Sequence, residues 1–594
     1  MTSIADIKLY SIPQLEILAE NMRKKILSTV FTNGGHLSSN LGIVELTIAL
    51  HYVFSSPEDV FIFDTGHQTY PHKLLTRGVM FSKLRQYKGM SGFSSPKESI
   101  HDPFYNGHTG TSLSQALALA YARDKKGLNY HIIAILGDGS LNSGLTLEAL
   151  TQIPKNLKNF IVIINDNKLA VSETIGSLFS TLQNPSIETK KEFFSHFNCE
   201  YQGPISGHHF KPLLDTFNHL KNAKHPIIVH VETKKGHGFD LASQDPVSYH
   251  GVKPFSNENT KKTTAFSDVF GQTLLKLIKT YPDLTVITPA TQEGSGLNEF
   301  QKKHPQNFLD MGIAEGHTVC FSGAYALKNQ PTILSIYSSF LQRALDNVFH
   351  DVSMQNSPLI LAIDRAGLNS QDGASHHGIY DLGFLSMMPN MIISQPRSGA
   401  MLQDLLYEAT HTKSPFAIRY PNQTTCKAND AMTRRPVGKA EVLYEGEMLL
   451  LIGVGQHVQT AFLVKDYLEP YGIIPTIVDP IYLKPFDHDL LEYLLETHPY
   501  VATIEETPLS GSFGQLFNQF VIQKRMKNVQ VLNCVLSERF IEQGSHDELL
   551  KENELDPKSI AKNILKKFNL KLDEMKETCH DCCSSCSCGE KNQL

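Results

Sequence analysis

The chain has 594 residues, 41% hydrophobic and 19% charged, with 54 Lys and Arg against 60 Asp and Glu, for a net charge of −6. At roughly 100–200 residues per domain this length allows about three to six domains. The balance excludes a disordered polyelectrolyte and supplies no basic stripe for a nucleic acid. The opening segment, MTSIADIKLYSIPQ, has no basic stretch followed by an apolar one, so the expectation is a cytoplasmic protein without a leader.

In chain order, short apolar runs ending in Gly, Asp or Asn recur: HIIAILGDG, FIVIINDN, LTVITPA, PLILAIDRAG, MLLLIGVG and YVATIEE. Runs apolar on both faces are what covered parallel strands look like, and they fall far below the ~18 residues of a membrane span. Between them lie helix-length stretches such as SLSQALALAYARDKKG. The expected fold is α/β, with three open, mainly parallel sheets whose ligands sit at the strands' carboxyl ends. Polar, aperiodic stretches near 250–266 and 423–439 read as linkers, giving domains at 1–262, 263–432 and 433–568 and a polar tail at 569–594.

The most specific constellation is Gly137-Asp138-Gly139-Ser140 after one buried-strand pattern, followed by Asn165-Asp166-Asn167 at the end of the next. Asp138, the Asn167 side-chain oxygen and a backbone carbonyl near Leu169 would give Mg²⁺ hard oxygen ligands, with diphosphate oxygens and water completing the shell. Gly139 and the helix N-terminus beside it would leave room and N–H groups for that diphosphate, with Gly137 and Ser140 in the same cradle. Such a pair of strand ends resembles the metal–diphosphate site of thiamin diphosphate enzymes. A second domain would then supply a carboxylate, and Met311-Gly312-Ile313-Ala314-Glu315 offers Glu315 to share a proton with the aminopyrimidine ring. Phe340, in YSSFLQR, is placed to stack on that ring or to serve as a plain core aromatic.

Ordered blocks carry the resemblance further: GGHLSSNLGIVELTIALHYVF (34–54), DTGHQTYPHKLL (64–75), GHTGTSLS (107–114), GDGSLNSG (137–144), NDNKLAVSETIG (165–176), TKKGHGF (233–239), DPVSYHGV (245–252), GIAEGH (312–317), YSSFLQRALD (337–346), IDRAGL (363–368), DGASHHGIYDL (372–382) and RYP (419–421). They resemble the 1-deoxy-D-xylulose-5-phosphate synthase family within the transketolase superfamily. The resemblance implies a homodimeric transferase using thiamin diphosphate and Mg²⁺, which condenses pyruvate with a phosphorylated small aldehyde, D-glyceraldehyde 3-phosphate, and feeds isoprenoid, thiamin and pyridoxal synthesis. It implies proton-transfer roles for His36 and His250, cofactor-pocket positions for His67 and His108, and an acceptor-side position for His376. It further implies phosphate-binding roles for Arg365 and Arg419 and acceptor contacts for Tyr337 and Asp372. Arg343 is an ion-pair partner of a nearby carboxylate or a direct ligand.

The chain departs from that family pattern in several places. The segment between Gly176 and Tyr201 is short where the family carries a long, lid-like one. Gly316 stands for the usual Gln, Asn422 for a common Arg, and Gly110 and Asn369-Ser370-Gln371 also differ. Five cysteines and His580 crowd the tail, CHDCCSSCSCGEKNQL, as an unstructured appendage or a site for a soft metal ion. A divergent enzyme with another acceptor aldehyde or a transketolase-like donor, and a catalytically idle cofactor- or metal-binding protein, stay open from sequence alone.

Overall fold

A computed structural model describes residues 4–169, 177–255, 264–369 and 371–570. The middle of the first expected linker, the end of the 165–176 block, Ser370 and nearly all of the Cys-rich tail lie outside the described residues.

Three open sheets form, as the both-face apolar runs require. The first has five parallel strands in the order Val60–Phe63, Ile132–Gly137, Phe160–Asp166, Ile227–Glu232, Glu200–Ser206. Its side chains alternate between two cores. Ile133, Ile135, Ile161, Ile163 and Val229 face helices Ile12–Asn33, Val44–Val53 and Phe210–Leu220, while Ile132, Ala134, Leu136, Val162 and Ile164 face helix Ser112–Lys125 and its neighbours. Two-sided burial of this kind needs β-branched or aliphatic residues at every position, which is why no polar alternation shows in these runs.

The second sheet has seven strands: Phe308–Asp310, Thr285–Thr288, Thr332–Tyr337, Ile360–Asp364, Phe416–Tyr420, Ile392–Ser394 and Tyr482–Lys484. The first six run parallel, and the last is antiparallel. The third sheet runs Glu441–Tyr444, Thr476–Asp479, Leu449–Gly453, Tyr500–Pro508, Gln530–Leu536, with only its first strand antiparallel. Second and third sheets share one core: Leu361 and Ile363 lie in the same cluster as Leu450, Ile452, Phe513 and Phe517.

The segment after residue 176, short where the family carries a long one, is helical. Helices Ser177–Gln183 and Ile187–Ser195 follow each other directly, and Gln183 ties the first of them to Asp166 at 2.9 Å.

One side chain links the first sheet to the loop that enters the cleft. Asp64, just beyond strand Val60–Phe63 and buried, accepts the Gly110 N–H at 2.8 and 3.0 Å and the Ser112 N–H at 3.1 Å, fixing the turn that carries His108 into helix Ser112–Lys125. Gly110 is required there: its φ is +88°, and a Cβ would meet Ser143 Oγ at 2.2 Å. Asp64→Ala leaves these buried donors without an acceptor and is expected to destabilise the first unit by about 1–3 kcal/mol. The check is the urea midpoint of that unit's unfolding transition, and a midpoint equal to wild type refutes the role.

Candidate active site

The first sheet's register builds one wall. Gly137 pairs with Asn165, so Asp138 and Asn167 leave adjacent strand ends side by side. Asp138 opens a five-residue 3₁₀ turn, Asp138–Asn142, that also holds Gly139 and Ser140; the longer helix, Gly144–Thr151, starts only after it. The expected helix N-terminus at Gly139 is therefore a 3₁₀ turn, and Asp138 and Ser140 are buried in it. Asn167 Oδ1 accepts the Leu169 N–H at 3.3 Å in the turn that follows the second strand.

Asp138 is the unusual member. Its Oδ2 is buried without a hydrogen-bond partner. Burial, followed by repulsion from Asp166, pushes its pKa up to about 6, against the attraction of Lys235. A buried, unpartnered carboxylate oxygen at a strand end is the environment a cation would complete, so the residues fit Mg²⁺. Two other groups of candidate ligands occur among the described residues, and neither is open. In Asp166–His230–Glu232 both imidazole nitrogens are taken, Nδ1 by the Tyr201 hydroxyl at 2.7 Å and Nε2 by Asp166 at 2.9 Å. In Glu45–His208–His237 Arg23 already pairs with Glu45, and the Lys234 N–H occupies His208 Nε2 at 2.8 Å.

A two-residue antiparallel pairing makes the next wall. His36 opposes Gly251, so His36 and His250 meet from distant parts of the chain. Their rings lie 5.5 Å apart, and His67 is 5.9 Å from the first and 5.6 Å from the second. Asn40 stitches the group, donating through Nδ2 to the His36 and His67 carbonyls at 2.8 and 2.7 Å while its Oδ1 accepts the Tyr70 N–H. All three imidazoles are held neutral. Burial and then the Arg85 charge lower His36 to about 4; burial lowers His67 and His250 well below the usual value, aided in both by His36 and Lys235. His36 Nδ1 and His67 Nδ1 are buried without partners.

The second unit closes the cleft. Glu315 is the first residue of helix Glu315–Ala326, 8% exposed, with its pKa raised by burial against the pull of Arg343 at 3.6 Å. Arg343 also donates through Nη2 to the Thr109 carbonyl of the first unit. A Cβ at Gly312 would stand 3.7 Å from Asn142 Nδ2, so the loop before Glu315 abuts the turn that begins at Asp138. His108 donates Nε2–H to the Ser375 carbonyl at 2.7 Å and lies edge-on to Phe340 at 5.4 Å. Phe340 also neighbours Tyr337 and His376. His376 stacks on Phe93 at 4.7 Å, its Nδ1 beside Ser375 Oγ, and burial holds its pKa at about 3.

Arg365 donates to the Tyr337 hydroxyl at 2.9 Å and lies over that ring at 3.9 Å, while its Nε is buried with no partner. Asp372 pairs with Arg85 of the first unit at 2.6 Å. Arg419 lies deeper, at the end of strand Phe416–Tyr420. It is 2% exposed, and it donates to Asp381 at 2.8 and 2.9 Å, to Gln395 at 2.6 Å and to the Gly378 carbonyl. A buried guanidinium needs acceptors, and here Asp381, Gln395 and the Gly378 carbonyl take four of its five N–H groups, which ties the arginine to the Gly378–Asp381 turn.

Sequence reasoning missed Arg85, Lys235, Phe93 and Asn40. Lys235, 6% exposed, acts on Asp138, His67 and His250 alike, and burial lowers its own pKa to about 8. Its place within TKKGHGF, one of two adjacent lysines, was the available signal. Arg85 in KLRQYKGMSGF looks like any solvated loop arginine until Asp372 is brought to it.

Comparison with known proteins adds independent findings. A family profile described as 1-deoxy-D-xylulose-5-phosphate synthase matches residues 1–192 and 185–233, the transketolase pyrimidine binding domain matches 262–427, and the transketolase C-terminal domain matches 438–560. Two relatives named 1-deoxy-D-xylulose-5-phosphate synthase, from Chlamydia felis and Chlamydia pneumoniae, are 44% and 46% identical over 624 and 623 residues, covering 96% of this chain and 96% of each relative. Among solved structures, transketolase from Campylobacter jejuni is 17% identical with a TM-score of 0.44, over 94% of this chain and 100% of that one. Identity at this level along nearly the whole of both sequences means that the chain belongs to the 1-deoxy-D-xylulose-5-phosphate synthase family.

Proposed function

We propose that this chain performs its family's reaction, the decarboxylating condensation of pyruvate with D-glyceraldehyde 3-phosphate to give 1-deoxy-D-xylulose 5-phosphate and CO₂, with the residues assigned as follows. The observation that carries the assignment is the convergence in one cleft of an unpartnered buried carboxylate oxygen, Asp138 Oδ2, and a second buried carboxylate, Glu315, from another sheet. Asp138, the Asn167 side-chain oxygen and the Leu169 carbonyl hold Mg²⁺, and Gly137, Gly139 and Ser140 border the diphosphate. Thiamin diphosphate, when bound, supplies the electron sink for loss of CO₂.

The protein's own groups do the rest. Glu315, with its raised pKa, holds and exchanges a proton at its carboxyl oxygen with a ring nitrogen of the aminopyrimidine, and Arg343 keeps that carboxyl in place. Phe340 packs on the same ring. Neutral His36, His67 and His250 each carry one N–H and one lone pair, so each can take a proton and return it near the reacting carbons. His108 keeps Nε2–H on Ser375, which leaves Nδ1 as its acceptor. Arg365, Arg419 and Tyr337 serve the acceptor's phosphate, and Asp372 and His376 its hydroxyl and carbonyl end.

The same reading divides the chain at 1–262 for the diphosphate, 263–432 for the aminopyrimidine, 433–568 as the C-terminal unit and 569–594 as the tail. Exposed Leu345, Phe349 and Met354 on the second unit support a homodimer. The four described cysteines are free, and no described helix is long and apolar enough to cross a membrane, which supports a cytoplasmic location.

Labelled pyruvate supplied with D-glyceraldehyde 3-phosphate is expected to yield the labelled phosphorylated ketose; pyruvate consumption without that ketose overturns the reading. Asp138→Ala and Asn167→Ala are each expected to weaken Mg²⁺ and thiamin diphosphate together, because ion and diphosphate share a coordination shell. Thermal-shift titration of the cofactor at several Mg²⁺ concentrations measures this, and unchanged affinities in both variants remove the site. Glu315→Ala is expected to fold, to keep Mg²⁺-dependent cofactor binding and to lose turnover by about 10²–10⁴-fold. Wild-type turnover in that variant would disprove the proton-exchange role.

A further inference from the structure

The C-terminal unit reaches the loops that frame the acceptor side of the cleft, and it does so with buried polar atoms. Glu506, in strand Tyr500–Pro508, is 4% exposed. Its Oε2 accepts the Leu368 N–H at 2.7 Å, and its Oε1 is held by His457 Nε2 at 3.0 Å and His546 Nε2 at 2.7 Å. Burial opposes ionisation, but the two imidazoles hold the carboxyl well below its usual range, so it is an anion.

Leu368 lies three residues after Arg365, in a loop with little freedom elsewhere. Gly367 and Gly378 exchange backbone hydrogen bonds at 2.7 and 2.8 Å, closing a loop that carries Asp372 and His376. Arg365 sits in the left-handed region at φ 61°, which needs support from its surroundings. A Cβ on Gly367 would approach Glu506 Oε2 to 2.5 Å, so the carboxylate lies directly against the loop backbone. His377, which accepts the Asn369 N–H through Nδ1 at 3.0 Å, reaches the Glu542 carbonyl through Nε2 at 3.4 Å.

A second contact from the same unit braces the opposite side. Gln543 Nε2 donates to the Gln86 and Gly89 carbonyls at 3.3 and 3.1 Å, immediately after Arg85. Gly373, directly after Asp372, packs on the same glutamine: a Cβ there would lie 3.2 Å from the Gln543 backbone nitrogen. Both partners of the Arg85–Asp372 pair therefore rest on the C-terminal unit through Gln543.

We propose that Glu506 is a positioning residue for the aldehyde acceptor: by accepting the Leu368 N–H it fixes the Arg365–Gly378 loop, so that the C-terminal unit sets acceptor affinity. The proposal rests on the assignment of Arg365, Asp372 and His376 to the acceptor. A displacement of that loop by a fraction of an ångström alters the acceptor's binding groups and leaves the cofactor carboxylates untouched.

The test is the split between the two Michaelis constants of the full-length holoenzyme. Glu506→Ala is expected to raise the KM for D-glyceraldehyde 3-phosphate about tenfold and to leave the pyruvate KM within about twofold. Glu506→Gln, whose amide oxygen can still accept the Leu368 N–H, is expected to recover most of the loss. Should Glu506→Ala fail to fold, Gln543→Ala withdraws the brace on the Arg85 side and is expected to raise the acceptor KM about threefold. Equal rises in both constants, no change in either, or a glutamine variant no better than alanine overturns the proposal. Arg365→Ala, measured in parallel, separates the two levels. If it leaves the acceptor KM unchanged, the acceptor assignment itself fails and the proposal with it; if it raises that KM while Glu506→Ala does not, only the positioning role is lost.

Discussion

The cleft depends on one charge pair that no single sheet could provide. Arg85 of the first unit and Asp372 of the second meet at 2.6 Å, with the arginine side chain 7% and the aspartate 17% exposed. Taking two charges out of water costs several kcal/mol apiece, and the pair persists only where geometry and further hydrogen bonds compensate. Here Gln371 takes a second guanidinium nitrogen at 3.3 Å, and the Tyr70 hydroxyl lies beside it. Burial opposes ionisation of Asp372 most strongly, but Arg85 together with His376, His36 and Arg365 outweighs it and keeps the carboxylate an anion. The relative placement of the two units is thus fixed by a bond that is expensive to break, and every distance across the cleft inherits that constraint.

The same arginine shapes the chemistry next to it. Its positive charge adds to burial in keeping His36 neutral, and two further imidazoles within 6 Å could not carry protons together without mutual repulsion. A cluster of neutral rings is suited to passing a proton on, since none holds it strongly. Asp138 is the opposite case: its unpartnered oxygen is stable as an anion only when a cation sits against it. The neutral rings and the unpartnered Asp138 oxygen therefore stand on two neighbouring walls, the Gly35–His36 pairing and the first sheet, with Lys235 acting electrostatically on both.

Much of the fold was legible because its signals are local. Strands such as Ile132–Gly137 and Phe160–Asp166 announce themselves by apolar residues at consecutive positions, and Asp138 and Asn167 by their places at the ends of those runs. The histidines were not legible in this way. His36 and His250 meet through a pairing of only two residues a side, Gly35–His36 with Gly251–Val252, and no periodicity encodes so short a bridge between distant segments; only resemblance to a family placed them. Arg365 and Arg419 carry the same local signal, an arginine at the edge of an apolar run, yet one stacks on Tyr337 with a donor to spare and the other is consumed by Asp381. What separates them is the neighbour that tertiary packing delivers.

Three departures from the family pattern have surroundings that differ in kind. Gly110 occupies a left-handed turn packed against Ser143, a position that rejects a side chain. At Gly316, directly after Glu315, a Cβ would come within 3.1 Å of Asn347 Oδ1, so a side chain there meets a close polar neighbour. Asn422 is exposed, where a missing charge is screened by water and salt and is worth little. The buried charges are the ones the chain could not change cheaply: Asp138, Glu315, Arg365 and Arg419 each sit where desolvation makes an unbalanced replacement costly.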